Sequence, residues 1–271
     1  MEEMDENESL ELFCFHAFGE PNPKEDFNEL ARNVVAYCGG LLLALEVLGS
    51  YLHGRRIDEW ESVLSKLKQI PNYQVQEKLR ISFDGLRDPM EKDIFLDVCC
   101  FFIGKDRAYV TEILNGCGLH ADIGIHVLIE CSLVKIEKNN KLGMHPLLQQ
   151  MGREIIRGSS IKELGKRSRL WFHEDVLDVL IIGFDQSYIE GLALQLHLSI
   201  GDFFKVEAFK EMKRLRLLRL DHVQLTGDYG YLSKQLRWIY WKGFPLNYIP
   251  NNFYLEGVIA IDLKHSNLKL L

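Results

Sequence analysis

Four short apolar phrases recur along the last third of the chain: Leu192-Ala193-Leu194-Gln195-Leu196, Leu218-Arg219-Leu220, Trp238-Ile239-Tyr240-Trp241 and Val258-Ile259-Ala260-Ile261-Asp262-Leu263. Their spacing of about 21–24 residues falls in the range of solenoid repeats. Each phrase offers one short strand whose alternate residues face inward. One such unit cannot bury its own apolar face, so neighbouring units must stack. The chain reaches Leu271 inside a unit, and an uncapped stack exposes its core, so further repeats are expected beyond it.

The preceding two thirds follow a different period. Asn22-Pro23-Lys24-Glu25 places a capping residue before Pro and Glu, which predicts a helix start. Phe27, Leu30, Ala31, Val34 and Cys38 then fall at helical spacing, and Gly39-Gly40 ends the run. Leu41 to Leu52 is apolar nearly all round, which predicts a buried central helix. Trp60, Val63, Leu64 and Leu67 form the next apolar face, with Pro71 as its stop, and Val75, Leu79, Phe83 and Leu86 form a fourth. Asp88-Pro89-Met90-Glu91 repeats the capping signal ahead of Ile94 to Phe102. Helices are predicted from Asp106 to Leu114 and from Ala121 to Glu130. Leu133 to Glu137 and Lys141 to Met144 flank Asn139-Asn140, residues that tolerate positive φ, so a hairpin is expected. A helix from Pro146 to Ile156 follows. Helices followed by a short hairpin make a winged-helix pattern. The expected fold class is mainly α with a winged-helix β-hairpin, followed by the start of an α/β leucine-rich-repeat solenoid.

Charge and cysteine usage restrict the function classes. The 271 residues carry 32 Lys and Arg against 39 Asp and Glu, a net charge of -7, which repels phosphate backbones on average. The candidate recognition helix, Ala121 to Glu130, contains neither Lys nor Arg, so no nucleic-acid partner is expected. The basic residues Lys162, Lys166, Arg167 and Arg169 read as a solvated linker. The longest apolar run, Leu41 to Leu52, is too short to span a bilayer, and no membrane span is expected. Cys14, Cys38, Cys99, Cys100, Cys117 and Cys131 lack framework spacing and read as reduced, mostly buried thiols. Cys117, His120, His126 and Cys131 could supply four zinc ligands, but their spacing fits no common finger and no metal is expected. Gly165-Lys166 is followed by Arg167, without the leading glycine or the Ser/Thr of a phosphate loop. No Ser/His/Asp constellation stands out, so a non-enzyme is expected.

Three phrases then occur in order: Gly39-Gly40-Leu41-Leu42-Leu43-Ala44-Leu45, Phe95-Leu96-Asp97-Val98-Cys99-Cys100-Phe101-Phe102 and Met144-His145-Pro146-Leu147-Leu148. Together they resemble the C-terminal half of the nucleotide-switch module (NB-ARC) of plant intracellular immune receptors with leucine-rich repeats. Phe95 to Phe102, with Gly104, resembles the version in receptors bearing an N-terminal Toll/interleukin-receptor (TIR) domain. Leu236-Arg237-Trp238 and the Pro245 and Pro250 region resemble the first repeats of that subclass.

The resemblance implies four segments: residues 1–20, with Leu12 to Phe18, as the end of the nucleotide-binding αβ domain; 21–87 as a helical bundle; 88–185 as a winged-helix domain; and 186–271 as incomplete leucine-rich repeats. It implies cofactor-binding positions at Gly40, Leu41, Leu42 and His145. Leu42 stands where the family has a Pro that packs on adenine. His145 stands where the family's His reaches the terminal phosphate of ADP and holds the resting state. Pro146 replaces the family's Asp there, a departure that removes a carboxylate. The phosphate-gripping half of the module is expected upstream of Met1, and the chain reads as a receptor fragment. The implied function is defence signalling as an ADP/ATP-controlled switch in the full receptor, located in the cytoplasm or the nucleus. Expected partners are other receptor domains, full-length TIR relatives and pathogen effectors. For this chain alone, a cofactor-free interaction module is expected. A receptor subunit that still binds ADP and a winged-helix nucleic-acid binder are the two alternatives.

Overall fold

The computed structural model of the chain describes residues 4–67, 72–160, 163–183, 186–196, 203–266 and 268. The first five helices are α1 (Glu6–Phe18), α2 (Asn28–Cys38), α3 (Leu42–Leu52), α4 (Ile57–Leu67) and α5 (Tyr73–Asp84). A capping box starts α1: Asp5 accepts the Glu8 N–H at 2.9 Å, and the Glu8 carboxylate accepts the Asp5 N–H at 3.3 Å. Helix α1 lies close against α3 because Gly49 has no side chain; a Cβ there would stand 2.6 Å from the Cβ of His16. Phe13, Phe18 and Phe27 surround Trp60 with ring centroids 5.8, 5.5 and 5.1 Å away, and Trp60 donates its indole N–H to the Leu52 carbonyl. This cluster explains one departure from the sequence pattern. The helix predicted after Pro23 begins only at Asn28, because Glu25–Phe27 forms a tighter 3₁₀ turn that delivers the Phe27 ring to Trp60. The predicted stop at Pro71 lies outside the described residues.

The winged-helix unit follows its predicted order. Asp88 caps α6 (Pro89–Asp97) by accepting the Met90 N–H at 2.8 Å, with Pro89 in the first turn. The helix continues through one wider π turn, Val98–Phe102, in which every residue is buried. Asp106 caps α7 (Arg107–Gly116), and α8 (Ala121–Glu130) lies between α6 and α7. Strands β1 (Lys135–Glu137) and β2 (Lys141–Gly143) pair antiparallel around Asn139 and Asn140, whose φ values are 60° and 57°. Helix α9 (Pro146–Ser159) closes the unit.

The last third contains β3 (Arg169–Leu170), α10 (His173–Ile182), β4 (Gly191–Gln195), β5 (Phe203–Lys205), β6 (Leu217–Asp221), β7 (Gln224–Thr226), β8 (Trp238–Lys242) and β9 (Ala260–Asp262). Strands β3, β4, β6, β8 and β9 form one parallel sheet in that order, and β5 pairs with β7. The four repeated phrases stand in register, with Leu192 beside Leu218, Leu218 beside Ile239 and Ile239 beside Ile261. The first interval is longer than the 21–24 residues expected, since Gly191 pairs with Leu217. One face of the sheet, with Leu192, Leu194, Leu218, Leu220, Ile239 and Trp241, packs on Val176 and Val179 of α10. The opposite face is also covered: Leu217 and Trp238 belong to the core of the helical units. The sheet is therefore a wall shared by two cores.

Among the described residues, no helix is long and apolar enough to cross a membrane. All six cysteines are free thiols, with Cys14, Cys38, Cys99 and Cys100 buried, Cys117 half-buried and Cys131 exposed just past α8. Burial pushes the Cys38 thiol up to about 12 and the Cys14 thiol up to about 11. At pH 8 a bulky thiol reagent is expected to modify Cys131 promptly and Cys14 and Cys38 only on unfolding, as mass spectrometry of the labelled chain would read out.

Candidate functional site

The glycine phrase and the His phrase meet at one seam. Gly39 ends α2 in the left-handed region, with φ 58°, where a side chain is strained. The chain then crosses Leu41 in an extended conformation and enters α3 at Leu42. His145 stands at the N-cap of α9. Its Nδ1 accepts the Leu147 N–H at 3.1 Å, and its Nε2 lies 3.1 Å from the Gly39 carbonyl oxygen. The first contact uses the Nδ1 lone pair, so the ring proton is on Nε2 and is donated to Gly39. Pro146 has no N–H to cap, so it fits the first helical position and the helix survives the loss of the carboxylate. His145→Ala removes both a cap and a bond between two units. It is expected to cost about 1–3 kcal/mol, seen as a lower urea midpoint at unchanged slope.

Leu41 and His145 share a cleft of about 210 Å³ with Val134, Lys135, Met144 and Leu148. Gly40 is buried one residue away, and its carbonyl accepts the Met4 N–H at 3.1 Å. Leu42 is 41 % exposed and does not line the cleft. Leu41 and His145 thus converge, Gly40 supports the turn, and Leu42 faces outward. Pockets that enclose a small organic ligand usually measure about 300–1,000 Å³. At about 210 Å³ the cleft lies below that range.

The seam between the winged-helix unit and the sheet holds a cluster that sequence reasoning missed. Asp97 is buried on α6. It accepts from Arg169 Nε at 2.8 Å, and its second oxygen lies 2.8 Å from Arg216 Nη2 as an ion pair outside hydrogen-bond alignment. Arg169 also donates to Asp93 at 2.9 Å, and Arg216 to Glu190 at 3.2 Å. Burial alone would lower both guanidinium pKa values, but the carboxylates, Asp97 foremost, outweigh it and push both upward. The solvated-linker expectation is therefore corrected for Arg167 and Arg169. Arg169 is 1 % exposed, and Arg167 is buried, donating to Ser160 at 2.9 Å and pairing with Asp175 at 2.5 Å. Lys166 pairs with Glu163, and Lys162 lies outside the described residues. Trp238 packs on Phe102 at 4.8 Å and donates its indole N–H to the Tyr109 hydroxyl at 2.9 Å. Arg237 donates to the Gly116 carbonyl at 3.0 Å. The available sequence signal was Asp97 itself, a lone carboxylate in an apolar run, which demands a buried cation.

Helix α8 turns Asp122, Ile123, His126 and Glu130 away from the core, and His126 lies 3.2 Å from Glu130. That surface offers a phosphate backbone no Lys or Arg. Among the described residues, no group of His, Cys, Asp or Glu is placed to hold a metal ion.

Comparisons with known proteins fit this arrangement. Residues 88–160 match the family described as "Disease resistance protein Roq1-like, winged-helix domain". Over 266 residues the chain is 36% identical to TMV resistance protein N of Nicotiana glutinosa, covering 98% of this chain and 23% of that protein. It is 38% identical over 293 residues to disease resistance protein RUN1 of Vitis rotundifolia, covering 97% and 22%. It is 32% identical over 277 residues to the putative disease resistance protein At4g11170 of Arabidopsis thaliana, covering 97% and 25%. The chain thus spans about a quarter of the length of the curated relatives it matches. Residues 88–160 thus carry the winged-helix domain of Roq1-like disease resistance proteins, and nearly the whole chain is similar to a segment of plant disease resistance proteins.

Proposed function

We propose that this segment is the switching part of an intracellular receptor, joining a helical bundle (residues 21–87) and a winged-helix domain (88–185) to the first leucine-rich repeats (186–271), with residues 1–20 closing a nucleotide-binding αβ domain. The in-register parallel strands, each contributing alternate residues to one core, support the repeat assignment. The segment acts without catalysis, as an interaction and switching module in the cytoplasm or nucleus. Its partners are the αβ domain of the receptor, TIR-class relatives and pathogen effectors. ADP or ATP serves as cofactor at the level of the full receptor.

The His145 bond to Gly39 carries this proposal, because it ties residues 106 positions apart across two units. Nε2 has one proton to donate. In this arrangement the Gly39 carbonyl receives it, and the bundle stays closed on α9. In the full receptor a phosphate oxygen would be a second acceptor for the same proton. A change of acceptor biases the seam only through unequal affinity for its two states. Leu41 and His145 would hold one edge of the nucleotide, with Gly40 shaping the turn and exposed Leu42 available to a partner surface.

Calorimetric titration of ADP into the purified chain, with His145→Ala as control, tests the proposal. No heat at about millimolar ADP, a free energy near -4 kcal/mol, is the expected result and leaves an interaction module. Saturable binding lost in the variant would replace it with the reading of a subunit that retains a working ADP half-site.

A further inference from the structure

Away from the His145 seam, the outer face of α9 borders a second cleft, of about 390 Å³, between Tyr37 of α2 and the Trp171-Phe172 loop. Gln149, Arg153 and Arg157 line its floor. These positions are four apart on one helix and so lie on one face. The Arg153 guanidinium lies over the Trp171 ring at 5.8 Å, and that of Arg157 over Phe172 at 4.6 Å. A guanidinium over an aromatic face is attracted by the ring quadrupole, which holds both side chains at the cleft. Arg157 already meets Glu154, which also lines the cleft, at 3.3 Å, whereas among the described residues Arg153 Nε is buried without a hydrogen-bond partner. A buried charged donor without an acceptor is costly, so the site calls for an oxyanion.

We propose that this cleft is a docking site for an acidic polypeptide segment. The Arg153 guanidinium suits a carboxylate, with Arg157, one N–H of which is held by Glu154, beside it, and the floor from Pro146 to Arg157 runs about 16 Å, the length of a few extended residues. The Gln149 amide is already committed through its N–H to the Cys99 carbonyl at 2.9 Å, which leaves its oxygen for a peptide N–H. The residues lining the cleft include neither a glycine nor a Ser or Thr hydroxyl, the parts a phosphate cradle uses. The chain's net charge of -7 repels polyanions generally, so attraction at this face is local.

The test is fluorescence anisotropy with a labelled Gly-Glu-Leu-Glu-Gly peptide, its Lys counterpart, and inorganic phosphate as competitor. We expect saturable, salt-sensitive binding of the Glu peptide alone, weakened about tenfold or more by Arg153→Gln. Arg157→Gln should weaken it in the same direction and serves where the Arg153 variant does not fold. The proposal is overturned by absence of saturable binding up to about 1 mM peptide, by equal binding of the Lys peptide, or by unchanged affinity in the folded variants. Displacement of the peptide by an equal concentration of phosphate would mark a general oxyanion site and equally overturn it.

Discussion

Asp97→Asn is expected to be among the most destabilising single changes in the chain, costing about 3 kcal/mol or more. Removing one partner of a buried ion pair usually costs ~3–5 kcal/mol, because the remaining charge has lost both water and partner. Here two guanidiniums lose their shared carboxylate, since Arg169 and Arg216 both lie within 2.8 Å of it. The estimate stays near the lower end because Arg169 keeps Asp93 and Arg216 keeps Glu190. The pKa of each arginine is raised above its unfolded value, so its contribution is present at every pH below the ordinary arginine range. Alkali short of that range leaves the cluster intact. Thermal unfolding would show the loss, each kcal/mol moving Tm by about 2–4 °C. Adding Arg169→Met to Asp97→Asn should recover part of it, and a strictly additive double variant would mean that the pair is not coupled.

Trp238→Ala is expected to cost about 3–5 kcal/mol, the usual range for truncating a fully buried Trp. Its consequence is also topological. Trp238 sits on a strand of the parallel sheet, yet its ring belongs to the helical core, packed against Phe101 and Phe102. The variant loses that contact and orphans the Tyr109 hydroxyl, while the opposite face of β8, with Ile239 and Trp241, keeps its own core. Limited proteolysis should therefore cut residues 203–266 early and leave the winged-helix unit resistant. A loss below about 1 kcal/mol, or cleavage spread evenly over both units, would contradict the shared-wall arrangement.

Features built from local chemistry were legible in the sequence. Asp88 and Asp106 cap helices as their positions suggested, and Asn139 and Asn140 take the positive φ that a tight hairpin needs. The repeated strands were legible because stacking forces them into one register. Features that depend on distant partners were not. Arg167 and Arg169 looked like a linker because a run of basic residues says nothing about Asp97, 72 positions earlier, or Asp175. The Asn22-Pro23 signal was real chemistry overruled by the pull of Trp60 on Phe27. At the candidate site, His145 and Leu41 could be named in advance, but the Gly39 carbonyl as acceptor could not, since backbone groups carry no sequence signature. The outward position of Leu42 follows from the exact turn at which α3 begins, the least predictable property of any helix.

The shared wall also sets a schedule for biosynthesis. Tyr109 and Trp238 are separated by 129 positions, which at ~5–20 residues per second means that the winged-helix unit waits on the order of ten seconds for its partner face. During that interval Phe101 and Phe102 present an oily surface on a nascent chain. Parallel strands, moreover, assemble slowly because their contacts are remote in sequence. A ribosome-bound chaperone that shields this surface until residue 238 has emerged would raise the yield of folded protein, and synthesis slowed ahead of that point would lower it.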